Sequence, residues 1–490
     1  MRQKSIKWNA LLNIIRMSLS VVFPLITFPY ASRILGAETL GTVNYTLSVV
    51  NYASLIAALG ISTYAIREGA KIRENYSAIN QFAQEVFTIN IITTIISYWI
   101  LGIVISVLPE LHVYWKLIFL QSMSILFTTL SVEWINVVYE DYLFVTIRAL
   151  LTNIVTTLLL FLLVHHPSDY YIYASLTVVS HAVVSVMNYF HCKKYIHIKI
   201  TGKPCFRKHM KPVLIFFANS LAVSLYVNSD STMLGWMIGS YSVGLYTASV
   251  KVYSMVKTVL AAMYGVTISR MTFYITNDKM DQYYNLCQNV ISGLMVILLP
   301  GICALFLFAE DIIFLLSGMS YMDSVVTLRI LSIGLLFAIL GGFLTSCINI
   351  PNGMEKNNLY AASVSALINI LFNLLMIPQY HQNGAAFTTV IAEAIVCVYC
   401  IICARDIVKQ IRFRNIRRYI FDGVTGIMIV ITSYFITKSI TSSITFHLLL
   451  NVFVITGVYI IYLVIRRNII VISFMDGIKK KLWVTKRRDT

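Results

Sequence analysis

Long apolar runs separated by short polar turns fill the chain from residue 8 to residue 465. The runs are continuous rather than alternating, which fits bilayer-crossing helices and excludes barrel strands. Fourteen spans are predicted, near 8–30, 40–61, 82–106, 114–138, 142–164, 170–192, 213–235, 242–265, 283–307, 325–350, 358–377, 384–404, 420–437 and 444–465. The first run follows Arg2, Lys4 and Lys7 and is too long for the apolar region of a secretory signal, so it reads as a span.

Polar positions inside several spans recur at helical spacing. Span 1 carries Asn9, Asn13, Arg16, Ser20 and Thr27, and span 2 carries Asn44, Ser48 and Asn51. Span 7 carries Ser220, Ser224, Asn228 and Ser231, and span 8 carries Thr247, Lys251, Ser254 and Thr258. Each set falls on one helical face. Polar groups are costly in lipid, so these faces meet protein or water. Two readings stand: hydroxyls and amides joining helices, or the wall of a hydrophilic cleft. Lone cations such as Arg16 and Lys251 are not packing residues, which favours the cleft.

The pattern also repeats at an offset of 203 residues. Leu35-Gly36-Ala37-Glu38-Thr39-Leu40-Gly41 aligns with Ile238-Gly239-Ser240-Tyr241-Ser242-Val243-Gly244, and Arg67 aligns with Arg270. The span 2 stripe maps onto that of span 8. The expected organisation is therefore an N-terminal lobe at 1–192, a basic linker at 193–212 and a C-terminal lobe at 213–404. A basic loop at 405–419, two further helices within 420–465 and a basic tail at 466–490 complete the chain. Copies with an even number of spans would be related by an axis along the membrane normal.

Composition agrees with a polytopic all-α membrane protein: 58% of the 490 residues are hydrophobic and 12% charged. The net charge of +17 suggests nucleic acid until its placement is considered. With the N-terminus in the cytoplasm, thirty of the 38 Lys and Arg fall on the cytoplasmic side and four outside, with four more within spans. That is the positive-inside bias, and it predicts both termini inside. The tail is expected to lie on anionic lipids. The outer connections are too short for a separate domain.

Arg16 lies about 12 Å in from the cytoplasmic end of span 1, Lys257 at a similar depth in span 8, and Lys251 near the midplane. Lys257 faces about 120° away from Lys251, so it either borders the cleft or snorkels. Asp230 is the acid placed to pair with Lys251. The expected cleft is net cationic and suits a phosphate-bearing anion. Glu133 and Arg148 share a depth on a helical hairpin and are expected to form a structural ion pair. Glu393 in span 12 is a candidate for proton coupling or for helix packing. Pro24 and Pro300 are candidate kinks. There is no phosphate-binding loop, dinucleotide fingerprint or zinc motif, and no metal or other cofactor is expected.

The stretch Phe28-Pro29-Tyr30-Ala31-Ser32-Arg33-Ile34-Leu35-Gly36 through Gly60-Ile61-Ser62-Thr63-Tyr64-Ala65-Ile66-Arg67-Glu68 resembles the start of Wzx-type polysaccharide flippases. So do Ile368-Asn369-Ile370 through Leu375-Met376-Ile377-Pro378, Asn383-Gly384-Ala385-Ala386 and Ala392-Glu393. The resemblance implies a two-lobed fold like that of multidrug and toxic-compound extruders and lipid II flippases. It implies an undecaprenyl-pyrophosphate-linked oligosaccharide as substrate, moved across the bacterial cytoplasmic membrane for capsule, O-antigen or exopolysaccharide assembly. On that expectation Arg16, Lys251 and Lys257 engage the pyrophosphate. Asn13, Asn44, Asn51, Asn228 and Ser254 bind the glycan. A proton or sodium gradient supplies energy through Asp230 or Glu393, and a polymerase and glycosyltransferases are expected partners. The competing expectations are a multidrug extruder, whose cavity should carry acids, and a membrane polymerase, which needs a larger outer loop.

Overall fold

In the computed structural model the described residues are 6–468, apart from 203, 204, 266, 412 and 442 and the side chains of 6–11, 13, 14, 17, 219, 226 and 413–415. Asn9, Asn13 and the tail beyond 468 therefore lie outside the described residues. Among those described, every regular element is helical. Eleven helical stretches are long and apolar enough to cross a membrane. A twelfth is the bent pair Phe206–Leu225 and Val227–Met237, whose arms meet at 51°.

Two of these stretches each take in two of the fourteen expected spans. Ile6–Ala58 has 53 residues, about 80 Å of helix against a hydrocarbon core of about 30 Å. It breaks at Gly36, whose φ of 75° and ψ of 170° are open to glycine and strained for other residues. Glu355–Cys403 has 49 residues and breaks at His381, at φ 51°. The turns expected between these spans are single-residue breaks, so the helices continue almost to the corner on both sides.

Short amphipathic helices, Ile61–Ile72 and Ile268–Thr276, follow the arm 37–58 and the helix Ser240–Gly265. The sequence pattern of long apolar runs does not reveal them. Span 4 is also interrupted: Trp115–Ser131 ends at Val132, at φ 40°, and Trp134–Val138 follows.

The chain divides into two compact units, residues 1–248, 316–321 and 366–385, and residues 249–315, 322–365 and 386–490. In the first unit residues 193–201 of the expected linker are laid along the helix Tyr76–Val107, and its last residues already belong to the helix Phe206–Met237. His197 N donates to Asn80 Oδ1 at 2.7 Å, Gln84 Nε2 donates to His197 O at 3.3 Å, and Thr201 N donates to Thr88 Oγ1 at 3.0 Å. Both of its ends are pinned by a carboxylate, a histidine and a tyrosine. At one end Asp141 Oδ2 lies 2.7 Å from His191 Nε2 and 2.7 Å from the Tyr195 hydroxyl. Burial, and next the Asp141 carboxylate, push the Tyr195 phenol well above its ordinary range. At the other end buried His209 lies 2.6 Å from Glu85 Oε2 and 2.7 Å from the Tyr64 hydroxyl. Ile61, Tyr64, Phe82, Trp134, Ile196 and Val213 close an apolar core around them.

In the second unit Phe413–Ile440 packs against Met280–Leu307. A Cβ on Gly423 would fall 2.7 Å from Met295 O. Buried Asp422 accepts from Asn468 Nδ2 at 2.9 Å and Tyr462 at 3.2 Å, and His447 Nδ1 lies 2.8 Å from Asp311.

Candidate functional site

Within the first unit the arm 37–58 and the helix Phe206–Met237 run side by side in opposite directions. Their seam can be followed by depth. A Cβ on Gly235 would fall 2.0 Å from the Tyr45 ring, so glycine admits that ring. Deeper, buried Ser48 Oγ is 2.8 Å from Thr232 Oγ1. One turn further, Asn51 Nδ2 donates to Asn228 Oδ1 at 3.2 Å, and Asn228 Nδ2 donates to Ser224 Oγ at 3.1 Å. The seam closes where Gly60 abuts the Phe216 and Phe217 backbone. The Ser48 pair joins helices, whereas Asn51 is exposed and keeps amide capacity for another partner. Asn44 turns back on its own helix, donating to Leu40 O at 2.7 Å.

The repeated turns are equivalent in structure as well as in sequence. Gly36 and Gly239 both take positive φ, 75° and 122°. A Cβ on Gly41 would fall 1.8 Å from Ser240 O, and one on Gly244 would fall 1.9 Å from Ala37 O. Position 37 corresponds to 240 and 41 to 244, so each glycine meets the partner of the other. That exchange is the signature of a two-fold contact.

Asp230 is buried and accepts from Asn373 Nδ2 at 2.6 Å, from Asn369 Nδ2 at 3.2 Å and from the Tyr246 hydroxyl. Ser229 Oγ donates to Asn369 Oδ1 at 2.8 Å. Asn369 and Asn373 belong to none of the four polar stripes of the sequence. With Ser365 they recur every fourth residue, which is the signal that would have found them.

Glu133 Oε1 lies 3.1 Å from Arg148 Nη2. The buried guanidinium also donates to Asn188, whose amide reaches Ser131 Oγ at 2.6 Å. Glu133 borders a cavity of about 240 Å³ beside the break in span 4, lined also by Ser54, Asn90 and Thr128.

In the second unit Lys257 Nζ lies 2.5 Å from Glu393 Oε1, and the same oxygen accepts from the Tyr253 hydroxyl at 3.0 Å. Ser254 is occupied within its helix, donating to Lys251 O at 3.0 Å. Arg16 in the first unit and Lys251 in the second are each half-buried. Neither side chain has a hydrogen-bond or ion-pair partner among the described residues. The structure thus brings together Asn51 with Asn228, Glu133 with Arg148 and Lys257 with Glu393. Asn13 lies outside the described side chains.

The family model of polysaccharide biosynthesis proteins matches residues 6–272. A putative O-antigen transporter of Shigella dysenteriae is 22% identical over 80% of this chain and 98% of its own. A capsular polysaccharide biosynthesis protein of Staphylococcus aureus is 24% identical over 74% of this chain and 89% of its own. An uncharacterized membrane protein of Methanocaldococcus jannaschii is 25% identical, and there the chain spans about half of the relative, 54%. Among solved structures, the lipid II flippase MurJ in an inward closed conformation superposes with a TM-score of 0.72 at 16% identity, over 94% of this chain and 100% of that one. That likeness establishes the fold.

Proposed function

The chain belongs to the polysaccharide biosynthesis protein family, and from that premise we propose that it flips undecaprenyl-pyrophosphate-linked oligosaccharide repeat units from the inner to the outer leaflet of a bacterial cytoplasmic membrane. It is a multi-pass membrane protein and, on this reading, a transporter without a catalytic centre. The observation that carries the reading is two cations, Arg16 in the first unit and Lys251 in the second, each half-buried on an apolar helix with no partner among the described residues. A cation kept in such surroundings without a counter-ion is costly unless an anion arrives. A pyrophosphate head group is an anion of the right chemistry, and exposed Asn51 beside Asn228 offers amides to the hydroxyls of a glycan.

The proposed cycle uses fourteen crossings, counting each broken helix as two, with both termini in the cytoplasm. The lobes 1–192 and 213–404 rock about the head group while the lipid tail stays in the bilayer. Energy enters through proton or sodium binding, for which Asp230 is the candidate: a buried carboxylate that accepts from Tyr246, Asn369 and Asn373. The polymerase, the glycosyltransferases and anionic lipids are the proposed partners.

The test is surface polymer and leaflet-resolved lipid-linked oligosaccharide in a strain lacking the gene and in one carrying Arg16→Ala/Lys251→Ala. Each lost charge-assisted contact should weaken head-group binding about ten- to a hundredfold. Repeat units should be trapped in the inner leaflet in both strains. Repeat units that reach the outer leaflet unpolymerised would make the protein a polymerase. Normal polymer with heightened sensitivity to cationic drugs would make it an extruder.

A further inference from the structure

We propose that Glu393 is a masking counter-ion: it neutralises Lys257 in the empty protein and competes with the substrate's pyrophosphate for that ammonium, so the carboxylate sets how tightly the head group is held. The proposal rests on the flippase reading and adds to it the residue that lets the anion go.

The geometry is asymmetric. Lys257 and Tyr253 stand one turn apart on Ser240–Gly265 and converge on one oxygen of Glu393. The lysine side chain is 33% exposed, but that of the glutamate only 7%. The ammonium therefore reaches its surroundings while the carboxylate stays behind it. Its flexible four-carbon stem can swing outward, whereas the glutamate is fixed among packed helices. Tyr253, Lys257 and Tyr264 face Glu393 from Ser240–Gly265, and Cys397 sits one turn along its own helix. Gly341 backs Cys397 from Val325–Phe343, and Ser365 donates to the neighbouring Ala392 carbonyl at 2.8 Å. Lys257 is the cation in that set.

A carboxylate this buried loses its charge compensation when its cation leaves, and that cost opposes anion binding. When an anion draws Lys257 away, Glu393 keeps the Tyr253 hydroxyl as its donor, which holds the carboxylate in place to recapture the ammonium once the anion leaves.

The test is binding of undecaprenyl pyrophosphate to the full-length protein in lipid nanodiscs. The proteins compared are wild type, Glu393→Gln, Lys257→Gln, the double variant and Arg16→Ala/Lys251→Ala. The probe's own ionisation is common to all of them and cancels in the ratios. Glu393→Gln keeps an acceptor for Tyr253 and unmasks the lysine. It should bind about tenfold more tightly than wild type. In the Lys257→Gln background the same change should have no effect. The double variant removes both charges together, so it stays comparable even if Lys257→Gln alone is poorly folded. If Glu393→Gln matches wild type while Arg16→Ala/Lys251→Ala loses binding, the masking role is wrong and the flippase reading stands. If wild type fails to bind the probe, both fall.

Discussion

Arg148 shows how much one side chain can organise inside a lobe. Its side chain is 5% exposed, while its partner Glu133 is 40% exposed. The guanidinium also holds Asn188, which in turn takes Asn136 Nδ2 at 3.0 Å and reaches Ser131. Removing the arginine leaves the Asn188 oxygen its other donor, Asn136 Nδ2, and a carboxylate that is 40% exposed, whereas removing the Glu133 charge strands a guanidinium that is 5% exposed without its counter-ion. Glu133→Gln is therefore expected to cost about 3 kcal/mol and Arg148→Met about 1 kcal/mol. Thermal unfolding of the detergent-solubilised protein measures the difference, and equal losses would contradict this account. At this scale the pairing of Glu133 with Arg148 is legible in the sequence, because a hairpin of two adjacent spans sets both residues at one depth. The partners of His209 are not, because Tyr64 and Glu85 lie 145 and 124 residues away in the chain. A helical period reports which face a residue occupies, not what a distant helix sets against it.

Among the elements, the repeated turns carry the clearest physical demand. Gly36 and Gly239 are needed for their positive φ, while Gly41 and Gly244 are needed for the approach of the opposite carbonyl. The two glycines of each turn thus serve different purposes, which is why a seven-residue match survives in copies that otherwise differ. A Cβ at 1.8 Å from a carbonyl oxygen cannot be absorbed by a rotamer change, so the two strands of backbone must part. Gly41→Ala is expected to disfavour this packed arrangement by about 1–3 kcal/mol, a shift of about 5- to 150-fold. Gly301→Ala, with nothing within 4 Å of the new atom, should be neutral. Labelling of an Asn51→Cys reporter by an impermeant thiol reagent from outside checks this: it should quicken with Gly41→Ala and not with Gly301→Ala. The sequence pattern locates these turns but not their shape. Apolar periodicity ends where lipid ends, yet the helix runs on to Gly36 and His381 because nothing before those residues breaks its hydrogen bonds. The amphipathic helices Ile61–Ile72 and Ile268–Thr276 escape the pattern for a related reason: half of each is polar, and a search for continuous apolar runs passes over them.

For the whole molecule, the distribution of charge and the exposure of native thiols make a joint prediction about orientation. The thirty Lys and Arg that the positive-inside bias assigns to the cytoplasmic side include seven in 193–211, and the structure ties this linker to the first unit at His197 and Thr201. Transferring such a segment to the outer face would oppose the positive-inside bias. Cys205 lies in the linker and is exposed, while Cys192, Cys287, Cys347, Cys397 and Cys400 are buried. Cys403 is also exposed, at the end of Glu355–Cys403 next to the basic loop, on the same predicted face. An impermeant maleimide should therefore label the protein in inverted membrane vesicles and leave it unlabelled in intact spheroplasts. The Cys205→Ser/Cys403→Ser variant should remove most of the signal. The reverse pattern would place the linker outside, turn the proposed direction of transport around and put Arg16 near the outer face. The native thiols thus test the inward-to-outward reading without any engineered reporter in the transport path.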